Sequence, residues 1–128
     1  MSTARIKEII EKVNAAFEQN NPEVFLEHCA DDVRWDMAGD EVRTGKETIR
    51  EFMSSMVDSK LTSLNVTSII AEGDAAACYG DMTMEENGSP SSYSYCDVYR
   101  FSGDQITDLR SFVVKHKTEG ESEKTATA

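Results

Sequence analysis

Along the first twenty residues, Ile6, Ile9, Ile10, Val13 and Phe17 recur at spacings of three and four, one apolar stripe of a helix. Ser2 or Thr3 stands where an N-cap is needed, and the stripe ends near Asn20. Asn21-Pro22-Glu23 restarts the chain with an N-cap residue, a proline at the first helical position and an acid in the first turn. This second helix is short and turns Phe25, Leu26 and Cys29 inward. Asp31-Asp32 breaks it, and Val33-Arg34-Trp35-Asp36-Met37 alternates as a strand does. After a loop at Gly39, Thr44-Gly45-Lys46-Glu47 has the form of a capping box with Thr44 as N-cap. It opens a third helix, striped by Ile49, Phe52, Met53 and Met56.

Beyond Lys60 the period changes to two. Leu64, Val66, Ser68 and Ile70 alternate with Asn65, Thr67 and Ile69 before a turn at Glu72-Gly73-Asp74. A second long strand covers 75–85, and Asn87-Gly88 is the strongest hairpin signal in the chain. The returning strand covers 91–101, Ser102-Gly103-Asp104 turns it, and the last strand covers 105–114. Three helices, one short strand between the second and third, and four consecutive antiparallel strands predict an α+β domain. A meander must bury one face, and the helices are the apolar partners available. The pattern therefore predicts a curved antiparallel sheet wrapped around three N-terminal helices, with a pocket at its wide end. Residues 1–116 form this single domain, and the polar tail 117–128, without an aromatic residue, is expected to be disordered.

Charge narrows the choice of partners. With 24 acids against 13 bases the net charge is −11, a field that repels nucleic acid and anionic membrane surfaces. No run of about 18 apolar residues occurs, and the N-terminus lacks the basic-then-apolar order of a secretory leader. A cytoplasmic protein is expected. The three cysteines, Cys29, Cys78 and Cys96, form no CxxC pair and lie in apolar elements, as buried free thiols do. With only His28 and His116 beside them, neither a structural metal nor any cofactor is implied. His28, near the inner side of a short helix, reads as a satisfied histidine rather than a catalytic one, and Glu85-Glu86 as solvated charge.

The chemistry concentrates on the strand over 91–101. Alternation puts Tyr93, Tyr95, Asp97, Tyr99 and Phe101 on one face and Ser94, Cys96, Val98 and Arg100 on the other. Four aromatic residues mark the first face as inward, which sets a carboxyl group among rings. Burial without a cation favours its neutral form, able to donate a hydrogen bond or act as a general acid. The plain alternative is an acceptor that anchors the sheet. Pairing through Asn87-Gly88 brings Cys78, Gly80, Met82 and Met84 beside that face, a soft wall suited to a flat apolar ligand. A one-residue bulge would present Tyr79, Asp81 and Thr83 instead. Trp35, Met37, Phe52, Met56, Met82, Met84, Tyr95 and Tyr99 are the expected ligand contacts, and Trp35 is also expected to serve the core.

Several stretches carry a resemblance: Ala30-Asp31-Asp32, Arg43-Thr44-Gly45, Thr48-Ile49-Arg50-Glu51-Phe52, and Cys96-Asp97-Val98-Tyr99-Arg100-Phe101 ahead of Gly103. Together with the order of elements, over about residues 5–115, the chain resembles the nuclear transport factor 2-like superfamily, and within it the ketosteroid isomerases and SnoaL-like polyketide cyclases. The resemblance implies the fold above and, for the isomerases, one carboxylate as base with a second, protonated acid as donor to an enolate. Counted back from Gly45 the base falls on Asp36, and the acid falls on Asp97. The isomerases' tyrosine on the first helix falls on Val13, which has no hydroxyl.

Family spacing turns Asp36 inward. The alternation of Val33, Trp35 and Met37 turns it outward and gives its place to Met37. Hydrolysis by two aspartates around an arginine would need Arg34 or Arg100, and alternation points both away from Asp97. The expected function is an isomerase- or cyclase-like proton transfer on a small flat carbonyl compound, with Asp97 as acid and Asp36 as base. The rival is a non-catalytic module of the same fold that binds a small apolar ligand or serves as a homodimer. Members of this superfamily pair by their outer sheet faces, where Thr107, Asp108 and Arg110 are candidates.

Overall fold

A computed structural model of the chain describes residues 2–56 and 59–117. The helices are α1, Thr3–Glu18; α2, Pro22–Glu27; and α3, Lys46–Ser55. The strands are β1, Cys29–Met37; β2, Val42–Thr44; β3, Ser59–Glu72; β4, Ala75–Glu86; β5, Ser89–Ser102; and β6, Gln105–Lys115. They form one sheet in the order β2-β1-β6-β5-β4-β3, curved around the helices. The polar tail from 118 onward lies outside the described residues.

The meander β3–β6 is antiparallel throughout. Asn87 and Gly88 both take positive φ, 51° and 85°, the two left-handed residues that a two-residue turn between right-twisted strands requires. The register it sets runs unbroken along β4 and β5: Met84 faces Ser91, Met82 faces Tyr93, Gly80 faces Tyr95 and Cys78 faces Asp97. The alternative set with Tyr79 and Asp81 inward does not occur. Within β3 the ladder slips between Leu61 and Ser63 and again between Val66 and Ser68, and such bulges sharpen the bend of a strand.

Three expectations are corrected. The sheet is mixed, because β1 lies parallel to β6, with Arg34 facing Asp108 and Met37 facing Ser111; β6 ends the meander with a free edge, and β1 satisfies that edge. Asp31-Asp32 does not end the second helix but lies inside β1, which begins at Cys29 and is anchored by Ile106 N–H donating to the His28 carbonyl at 2.7 Å. Thr44 caps no helix. It ends β2, a three-residue partner of β1 that the apolar pattern did not announce, and Gly45 at φ 92° takes the N-cap position. A turn with positive φ needs glycine there, and the Thr44 hydroxyl is carried away from the helix start.

The apolar stripes meet as one core. Ile6, Ile9, Ile10 and Val13 of α1 are fully buried, as are Phe25, Val33, Ile49 and Ile106; each such side chain contributes about 1.5–3 kcal/mol by leaving water. Ser2 caps α1, its hydroxyl accepting from Arg5 N–H at 3.1 Å. On the outer side of the sheet Ile70, Tyr79, Phe112 and Val114 stay exposed. None of the described helices is long and apolar enough to cross a membrane.

Candidate functional site

The core does not fill the sheet's wide end. A cavity of about 170 Å³ remains there, bounded by Asn14 and Phe17 of α1, Trp35 and Met37 of β1, and Phe52, Met53 and Met56 at the end of α3. Met82 and Met84 of β4, Tyr95 and Asp97 of β5 and Ser111 of β6 complete its wall. The rings hold one another in place. Trp35 lies 6.0 Å from Phe17 and 5.9 Å from Phe52, centroid to centroid, edge-on to the latter at 89°. The Arg43 guanidinium sits 3.6 Å from the Phe52 ring centroid, 3.7 Å from Met37 Sδ and 3.3 Å from Glu41, and Arg43 is not among the residues that line the cavity.

Asp97 stands between Cys78 on β4 and Ser111 on β6 in the sheet register. Burial pushes its carboxyl up to about 6, and a hydrogen bond from Ser111 pulls it part of the way back. Trp35 Nε1–H donates to Ser111 Oγ at 2.9 Å, which fixes the hydroxyl so that its own proton is left for Asp97. The three side chains come from three adjacent strands.

Asn14 faces the same region from α1. The residue is 5% exposed; Nδ2 donates to Cys78 Sγ at 3.3 Å, and Oδ1 is buried with no partner. The Cys78 sulfur is also 3.8 Å from the Tyr95 hydroxyl. Burial raises both the Cys78 thiol and the Tyr95 phenol, so both stay neutral at ordinary pH.

Of the expected contacts, Trp35, Met37, Phe52, Met56, Met82, Met84 and Tyr95 line the cavity together with Asp97. Two placements are corrected. Asp36 is turned to the other face of β1, its carboxylate 3.4 Å from Arg110 and 4.0 Å from Arg34. Trp35 and Met37 take the inward positions because their apolar surface gains more from burial than a carboxylate could. Tyr99 shares the face of Asp97 but lies deeper, fully buried against Phe101 at 6.3 Å between centroids, with its hydroxyl unpartnered; the helices cover that end of β5. Arg34 and Arg100 also point away, Arg100 pairing with Asp74 at 3.7 Å.

Asn14 and Ser111 were not singled out by the sequence pattern. Ser111 continues the inward alternation of β6, and Asn14 sits four residues after Ile10 and three before Phe17, on the stripe of α1. Their spacing was the available signal. Gly80, on the wall expected to suit a flat ligand, admits backbone instead: a Cβ there would lie 1.9 Å from the Asn65 carbonyl oxygen.

A model of the SnoaL-like domain matches residues 10–109. The chain belongs to the SnoaL-like family. No curated protein matches it. An LEH-like epoxide hydrolase of M. tuberculosis is 15% identical, with 87% of the SnoaL-like chain and 84% of that chain covered and a TM-score of 0.78. An NTF2-like protein of unknown function from Burkholderia pseudomallei is 18% identical over 100% of both chains, with a TM-score of 0.75. A proposed SnoaL-like polyketide cyclase of Mesorhizobium loti is 19% identical, covering 88% and 99% of the two chains, with a TM-score of 0.71. At such identities the likeness establishes the fold.

Proposed function

We propose that this SnoaL-like chain binds one small, flat, largely apolar molecule in the cavity, with the ligand's polar end at Asp97. The reading is carried by a single acid on a wall otherwise made of rings, thioethers and a few neutral polar groups. The size of the space supports it, since an apolar cavity of about 150 Å³ is enough for benzene. With Asp36 on the outer face, Asp97 is the one acid among the described residues that line the cavity, which favours binding over catalysis by an acid–base pair. Purified protein heated with single-ring and fused-ring compounds is expected to melt several degrees higher with those that fit, and the Asp97→Leu variant to lose that rise, because only a ligand of the native state stabilises it. A flat response across wild type and variant alike would remove the proposal.

One observation favours a second reading, proton transfer by Asp97 alone. A carboxyl raised to about 6 is matched to work near neutral pH, and proteins named as a cyclase and an epoxide hydrolase share the fold. Enolisable ketones in the same panel, incubated in D2O, would then take up deuterium with wild type and not with Asp97→Leu.

The outer face belongs to the proposal. We infer that a second copy covers Ile70, Tyr79, Phe112 and Val114, whose exposed apolar surface is of the kind that association buries. Sedimentation is expected to give a dimer in the wild type and a monomer after Val114→Lys; a wild-type monomer would count against it.

A further inference from the structure

The cavity floor is short of positive charge and rich in acceptors. Among the described residues none that lines the cavity is Lys, Arg or His. The groups that face Asp97 are neutral on every side: Asn14 from α1, Trp35 from β1, Cys78 from β4, Tyr95 and Tyr99 from β5 and Ser111 from β6. The nearest cation, Arg43, is not among the lining residues: its guanidinium lies over Phe52, donates to Met37 Sδ at 3.7 Å and pairs with Glu41 at 3.3 Å. An ionised carboxylate without a counter-ion is costly in such surroundings. Two buried polar atoms among the described residues have no partner, the Tyr99 hydroxyl and Asn14 Oδ1, and the latter is a carbonyl oxygen on a residue 95% buried that also bounds the cavity. Asn14 and Asp97 meet through one residue: Cys78 Sγ accepts from Asn14, and Cys78 faces Asp97 across the β4–β5 ladder.

Two acceptors call for a ligand that donates. A carbonyl or an enolate oxygen would set acceptor against acceptor, whereas an ammonium group supplies both N–H donors and the missing charge. The walls suit it, because the rings of Trp35 and Phe17 line the cavity and aromatic rings attract cations, while Met82 and Met84 add polarisable sulfur. We infer that the ligand is a small ring-bearing amine, bound in its protonated form, with one N–H on the Asp97 carboxylate and another on Asn14 Oδ1. This deepens the binding function proposed above and rests on it. It also reverses the polarity of an enolate-stabilising site: the floor accepts, and the ligand donates.

Three single-ring probes separate the possibilities by titration calorimetry: benzylamine, its neutral isostere benzyl alcohol, and acetophenone, which only accepts. At pH 7.5 benzylamine is expected to bind at least about tenfold more tightly than either of the others. Its affinity is expected to fall about tenfold between pH 7.5 and 5, as Asp97 takes up a proton and the competent fraction shrinks. That sign is opposite to the one for a neutral ligand, whose binding would favour the protonated acid. Asp97→Asn is expected to remove both the preference and the pH dependence, and Asn14→Leu to weaken benzylamine several-fold while leaving acetophenone unchanged. The pH series uses the wild type alone, so it stands even where a variant fails to fold. Acetophenone binding as tightly as benzylamine, or benzylamine affinity that holds or rises toward pH 5, would overturn the amine while leaving the pocket in place. Binding of none of the three would overturn both.

Discussion

Gly80→Ala is expected to lower stability by at least about 3 kcal/mol, although it adds a single methyl group. The added Cβ would stand 1.9 Å from the Asn65 carbonyl oxygen and 2.9 Å from the Thr67 nitrogen. Both are backbone atoms, so no side chain can rotate out of the way. They belong to the stretch of β3 where the ladder slips between Val66 and Ser68, the bulge that presses the β3 backbone over β4. Relief would require β3 to move, and Leu64 and Met82, which pair in the same register, bound the cavity. A variant that folds at low temperature is therefore expected to bind ligand less tightly as well. Urea denaturation decides the matter: a loss under about 1 kcal/mol would mean that the close approach is not built into the fold.

Asp97→Asn is expected to act the other way and stabilise the protein at neutral pH. The carboxyl is raised from 3.8 to about 6, first by burial. Between those two values the folded chain keeps a proton that the unfolded chain has already lost, so stability falls as pH rises through the window and stays lowered above it. A shift of this size corresponds to about 3 kcal/mol; the group opens on to the cavity, and a gain of about 1–3 kcal/mol for the variant at pH 7.5 is the expectation. Well below 3.8 the carboxyl is protonated in the folded and the unfolded chain alike, and the advantage should vanish. Denaturation curves at about pH 2.5 and pH 7.5 test both halves. Equal stability of the two proteins at both values would show that Asp97 is solvated in a way the cavity does not suggest. A gain in stability joined to a loss of binding is the pattern of a group retained for function.

The contrast between these residues marks how much could be read from the chain. For Asp97 the alternation of β5 sufficed, because a strand's side-chain period is two and the aromatic residues identify the inward side. The register with β4 was equally legible, since Asn87-Gly88 admits one tight turn and the ladder follows from it. For Asp36 the local alternation and the family's spacing disagreed, and the inward positions went to Trp35 and Met37, whose burial outweighs that of a solvated acid. The depth of Tyr99 was not legible. Which inward residues meet the cavity and which lie beneath the helices depends on how far α1 and α3 extend over the sheet.

What the sequence determined by itself was every helix, the four long strands, the inward face of β5 and the acid upon it, all of which follow from periodicities that neighbouring residues impose. The parallel pairing of β1 with β6, the three-residue strand β2, the backbone beneath Gly80 and the unpartnered Asn14 carbonyl were decided by tertiary structure alone. Each depends on residues far apart in the chain, Asn14 and Cys78 lying 64 positions apart, and no local period encodes where such residues meet.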